Sequence, residues 1–164
     1  MESIKAGYHV LADKPLAINP QDFKLLTEAY QLAKEKNLLL YDLMTERYDI
    51  LNIIEKELLH QTELFGDLQK GSPDNPSVIM ESVHHFFKTV SGKPLIRPAW
   101  YYDVEQQGEG IADVTTHLID LINWQCFPDE TIHYQSDVTV NAAKHWPTPI
   151  TLAAVSYTHL RAHE

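Results

Sequence analysis

A chain of 164 residues has room for about one domain of ordinary size with a sizeable core. Its hydrophobic share of 44% and charged share of 22% are those of a soluble globular protein, and a net charge of −10 excludes the phosphate-neutralising surface of a nucleic-acid binder. The single cysteine, Cys126, excludes an internal disulfide and a cysteine-built zinc site, and no run approaches the roughly 18 to 20 apolar residues of a membrane span. A cytoplasmic protein with neither nucleic acid nor membrane as partner is expected.

Residues 8–12 are a short apolar run of strand type, ended by Asp13-Lys14-Pro15 because proline removes an N–H and restricts the residue before it. Asn19 is a natural N-cap with Pro20 at the first helical position. A helix is predicted from residue 20 to about 36, with Phe23, Leu26, Tyr30 and Ala33 on one face and Asn37 closing it in a left-handed conformation. Leu38-Leu39-Leu40-Tyr41 then reads as a strand buried on both faces of a parallel sheet, which completes one βαβ unit. Such a unit is no domain by itself, and the six glycines form no G-x-G-x-x-G, so the phosphate-cradling turn of a dinucleotide fold is absent.

After Tyr41 comes a polar loop at the carboxyl end of a parallel strand, where open α/β sheets place ligands, and Arg47 lies in it. A helix over about 48–60 is predicted, with Ile50, Ile53, Ile54, Glu57 and Leu58 forming an imperfect apolar face, followed by a loop at 71–76. Residues 77–90 are read as a strand, with a helix as the alternative. His84 and His85 would point to opposite strand faces, which argues against one shared metal and for core or surface histidines. Residues 131–142 alternate as a strand of an antiparallel sheet whose other members are partly missing. His159 and His163 lie at i, i+4 in a tail, 155–164, that continues no periodicity and resembles a non-native read-through; no metal site is expected there.

Residues 108–124 read as a glycine-softened loop opening a two-sided helix. Asp113, His117, Asp120 and Trp124 share one stripe, while Ile111, Val114, Leu118, Leu121 and Ile122 supply the apolar side. An imidazole one turn from a carboxylate suits proton transfer. The same residues also suit a first-turn acid favourable to the helix dipole and a hydrogen-bonded, half-buried histidine.

With these pieces in place the chain resembles the Gfo/Idh/MocA group, the glucose-fructose oxidoreductases and inositol dehydrogenases. The resemblance lies in Tyr8-His9-Val10-Leu11-Ala12-Asp13-Lys14-Pro15, in Arg47-Tyr48-Asp49 after the next strand, and in Gly108-Glu-Gly followed by Asp113-x-x-x-His117-x-x-Asp120. Asp13 stands where the family has glutamate, and Gly-Glu-Gly replaces a run of glycines. The resemblance implies an α/β architecture: residues 1–45 as the end of a Rossmann domain, and 46–154 as an incomplete α+β substrate and oligomerisation domain. It implies NAD or NADP as cofactor, a sugar or polyol as substrate, and a homo-oligomeric parent. It also implies roles: Lys14, Asp113 and His117 catalytic; Asp13, Lys14 and Pro15 on the cofactor side; Arg47, Tyr102 and Asp120 on the substrate side. Lys14 would contact the nicotinamide ribose and the reacting oxygen, and His117 would be the general acid/base.

Three alternatives stay open. One is an NAD-dependent glycosidase of the same family; another is a chain inactive on its own, lacking the glycine-rich turn, that only associates. Metal-dependent hydrolysis through Asp113, His117 and another histidine is the third.

Overall fold

The computed structural model describes residues 1–82, 88–147, 149 and 151. It is a mixed α/β arrangement with two small sheets, one parallel and one antiparallel. After a short helix α1 (Glu2–Lys5), strand β1 (Val10–Ala12) pairs in parallel with β2 (Leu40–Asp42) in the register Val10↔Leu40, Leu11↔Tyr41, Ala12↔Asp42. Helix α2 (Pro20–Glu35) links them, as the sequence predicts. Asn19 caps it, accepting from the Asp22 N–H at 2.8 Å, and Asn37 adopts the left-handed conformation, φ 53°. The buried ridge of α2 is Ala29 and Ala33, whereas Phe23 and Tyr30 of the expected face stay exposed. The expectation that β2 is buried on both faces is corrected: Leu39 and Tyr41 are exposed, with Leu40 half-buried between them. A helix packed on one side of two strands covers one face only.

Beyond β2, a 3-10 turn (Thr45–Tyr48) leads into α3 (Ile50–Leu59), capped by Asp49, whose carboxylate accepts from the Leu51 N–H at 2.8 Å. A short α4 (Thr62–Phe65) follows, and the expected loop closes through Ser72 and Asn75. Of the described residues among 77–90, Thr89–Val90 form β3, which pairs with β4 (Lys93–Pro94), and residues 77–82 have no regular structure. The hairpin turns on Ser91 and Gly92, both at positive φ as a two-residue hairpin requires. His84, His85, His159, His163 and the tail lie outside the described residues. The strand expected over 131–142 is not formed. Residues 133–137 make a turn instead, the N–H groups of Ser136 and Asp137 donating to the His133 carbonyl, and Val138 and Val140 are exposed. Alternation makes a strand only where a neighbouring edge supplies hydrogen bonds, and none of the described strands pairs with this segment.

A second 3-10 turn (Ala99–Tyr102) and α5 (Val104–Gln107) precede the central helix. That helix opens with a π-helical turn (Ile111–Thr115) and continues as α6 (Thr116–Cys126). Leu121 is buried, and Val114, Leu118 and Ile122 are half-buried, but Ile111 of the expected packing side is exposed.

The apolar face read on α3 is also corrected. Ile50, Ile54 and Leu58 are exposed, and α3 meets α6 through polar side chains. Buried Gln125 donates from Nε2 to Glu55 Oε2 at 2.9 Å and to the Asn52 carbonyl at 3.3 Å, and Lys56 Nζ sits 4.4 Å over the Trp124 ring. Geometry favoured these contacts because buried amides need partners, whereas an apolar stripe only needs cover from some neighbour. No helix of the described residues is long and apolar enough to cross a membrane.

Gly108 joins the halves closely. Its φ is +84°, and a Cβ there would lie 2.9 Å from Ile18 Cγ2 and 3.0 Å from Ala112 Cβ. Gly108→Ala is expected to lower unfolding stability by about 1–3 kcal/mol, from left-handed strain and overlap together, as read by urea unfolding; an unchanged midpoint would contradict this packing.

Candidate active site

Lys14 follows the carboxyl end of β1, and its peptide bond to Pro15 is cis. From there its ammonium reaches ninety-nine residues along the chain, donating to Asp113 Oδ1 at 2.7 Å and to the Asp113 backbone carbonyl. The side chains of Lys14 and Asp113 are 18% and 12% exposed. Two further donors meet the carboxylate: the Tyr101 hydroxyl at 2.6 Å to Oδ2, and Gln107 Nε2 at 3.1 Å to Oδ1. Burial pushes the Asp113 carboxyl up, but hydrogen bonds from Lys14, Tyr101 and Gln107 outweigh it and hold the group below the usual aspartate range. Burial, then the bond to Asp113, pushes the Tyr101 phenol up to about 12. Asp113 is thus a fixed anion at neutral pH rather than a proton carrier.

His117 lies one turn beyond Asp113 on the same helix. Together with Lys14, Asp113 and Tyr101 it lines a cavity of about 410 Å³, a size common for small-molecule sites. Its Nδ1 is buried and makes no hydrogen bond in the described structure, an arrangement that costs free energy unless a bound molecule supplies the partner. Lys14, Asp113 and His117, to which the family resemblance gives catalytic roles, therefore line one cavity.

The other assigned residues lie elsewhere. Asp13 is exposed and accepts from its neighbour's N–H, Lys14 N to Oδ1, at 2.9 Å. Arg47 and Asp120 engage each other: Nε donates to Oδ2 at 2.7 Å, and Nη2 to Oδ1. This two-point bond raises the Arg47 pKa and clamps the 3-10 turn after β2 onto α6. Neither residue lines the cavity, nor does Tyr102, whose ring stands edge-on to Tyr101 with centroids 5.5 Å apart. Sequence reasoning passed over Tyr101, Gln107, Lys88 and Arg97. The aromatic run at 97–103 was the available signal for two of them, but a 3-10 turn rather than a strand or helix decides which of two adjacent tyrosines faces Asp113. Among the described residues no three His, Cys, Asp or Glu side chains converge in a way that could hold a metal.

Residues 54–162 match the family described as "Putative oxidoreductase C terminal domain". The chain is similar to the crystal structure of a putative oxidoreductase from Parabacteroides merdae ATCC 43184, with 54% identity and a TM-score of 0.78. The match covers 82% of this chain and 31% of that one, so the chain spans less than a third of that protein's length. No curated protein matches it.

The folded Asp113 pKa lies below the 3.8 of an unperturbed aspartate, so the unfolded chain binds the proton first as pH falls. The stability it contributes is fully present above that value and lost as pH falls through the lowered one. Asp113→Asn is expected to lower the unfolding midpoint at neutral pH and to flatten the acid limb. An acid limb identical to wild type would contradict the assigned network.

Proposed function

From the premise that this chain belongs to the oxidoreductase C-terminal-domain family, we propose that it carries the catalytic end of an NAD(P)-dependent dehydrogenase acting on a sugar or polyol hydroxyl. The observation that carries the reading is the convergence of Lys14, Asp113 and His117 on one cavity from segments far apart in sequence. In this reading residues 1–45 end a Rossmann domain of the Gfo/Idh/MocA type and residues 46–154 belong to its substrate domain.

The residues present fit the nicotinamide end of the cofactor. Lys14 stands just past the carboxyl end of a parallel strand, where α/β sheets hold ligands, and the cavity it lines has an imidazole nitrogen awaiting a partner. Lys14 would hold the ribose beside the nicotinamide, with Pro15 shaping the turn. Bound there, the cofactor supplies the acceptor or donor of hydride. His117 takes the hydroxyl proton as the carbonyl forms and returns it in the reverse direction. The Lys14 ammonium stabilises charge developing on the reacting oxygen. Asp113, held by Tyr101 and Gln107, fixes that ammonium in place without itself titrating near neutral pH.

The test is formation of reduced nicotinamide by the full-length protein carrying this sequence, with a panel of sugars and polyols and both cofactors. His117→Ala is expected to lower kcat by about 10²–10⁴-fold with KM changed much less. Absence of turnover with every substrate, or a His117→Ala protein with undiminished kcat, would overturn the reading.

A further inference from the structure

Glu46 lines the same cavity as Lys14, Asp113 and His117. It stands in the 3-10 turn after β2, one residue before the Arg47 that grips Asp120. Asp120 lies three residues beyond His117 on α6, and residues at that spacing share a helix side. The Arg47–Asp120 clamp therefore holds the Glu46 turn against the stretch of helix that carries the imidazole. Within the turn it is the backbone of Glu46 that is engaged: its carbonyl accepts from Asn52 Nδ2 at 2.8 Å and from the Asp49 N–H at 3.1 Å. Among the described residues its carboxylate makes no hydrogen bond or ion pair. The fold uses the main chain at this position and leaves the carboxylate to the cavity.

A carboxylate offers only acceptor sites, which a ligand fills with a cation or with hydroxyl groups. The Lys14 ammonium lines the same cavity, so a cationic ligand would meet like charge there. A hydroxyl meets no such cost, since it donates to a carboxylate and accepts from an N–H. We propose that Glu46 determines substrate specificity, its carboxylate accepting from a substrate hydroxyl other than the one oxidised beside His117. The proposal rests on the oxidoreductase reading above and deepens it: the cavity selects compounds that carry a second hydroxyl at a set position. A site that bonds a substrate hydroxyl rejects the analogue lacking it, because the protein group is left without its partner. Glu46 is exposed, so water can take the vacant place and the discrimination is moderate.

The experiment is calorimetric titration of the full-length protein with aldohexoses, inositols and their single-deoxy analogues, for wild type, Glu46→Ala and Glu46→Gln. Oxidation of the same compounds is measured in parallel. Glu46 is exposed and its main chain makes the bonds of the turn, so both variants are expected to fold normally. In wild type, removing the hydroxyl read by Glu46 should weaken binding and lower kcat/KM by about tenfold. In Glu46→Ala the same removal should change either by less than about threefold, and in Glu46→Gln, which keeps one acceptor oxygen, by an intermediate amount. A merely structural role would move parent and deoxy compounds alike. An equal deoxy penalty in wild type and Glu46→Ala, no penalty at any position, or binding of none of these compounds would overturn the proposal. A Glu46-dependent penalty in binding without oxidation would leave it standing and remove the dehydrogenase reading, whereas oxidation with a penalty independent of Glu46 would do the reverse.

Discussion

The Asp113 carboxylate is the point at which otherwise separate parts of this chain are tied together. Lys14 arrives from the end of β1, Tyr101 from a 3-10 turn, and Gln107 from α5, while Asp113 itself sits in the π-helical turn that opens the central helix. A carboxylate this enclosed is tolerable only with its lone pairs filled and its charge opposed, and all three donors contribute to that. Removing one partner of a buried pair typically costs about 3–5 kcal/mol, far more than an exposed pair such as Lys5–Glu2 contributes. The interaction that organises the site is therefore also one on which the relation between the parallel sheet and the central helix depends.

Polar contacts attach the central helix elsewhere as well, beside the buried Leu121. Arg47 grips Asp120, Gln125 bridges to Asn52 and Glu55, and Lys56 covers Trp124. Apolar burial among the described residues is slight by comparison: Ile4, Ala29, Ala33 and Leu121 are the buried hydrophobic residues. Ile50, Leu51, Ile53, Ile54 and Leu58 of α3, with Leu11, Leu39 and Tyr41 beside or in the parallel sheet, remain exposed. Directional hydrogen bonds place these helices, and the hydrophobic effect, which has no direction, adds little to the choice of orientation.

This division explains how the lining of the cavity gains its character. Asp113 is held ionised by its donors, and His117 lines the same cavity with a buried Nδ1 that makes no hydrogen bond in the described structure. The π-helical turn marks the place where the helix departs from regular geometry, a feature often found at functional sites. Gly108, just before it, permits the approach to Ile18 that brings the loop beyond Lys14 against the start of the helix.

Local features were readable from residue order because their causes are local. The Asn19 cap, the left-handed Asn37, the pairing of two short strands through α2, and the grouping of Asp113 with His117 all follow from spacing and backbone preference within a few turns. The resemblance to a family adds Lys14 to that pair. What residue order left undecided depends on partners distant in sequence. Alternation over 131–142 looked like a strand, but a strand exists only where another edge meets it. The apolar stripe of α3 looked like a packing face, but the helix was placed by Gln125 and Trp124 instead. Tyr101 rather than Tyr102 reaches Asp113, and Arg47 is occupied by Asp120, because a side chain's partner is set by where separate segments cross, which no periodicity within either segment encodes.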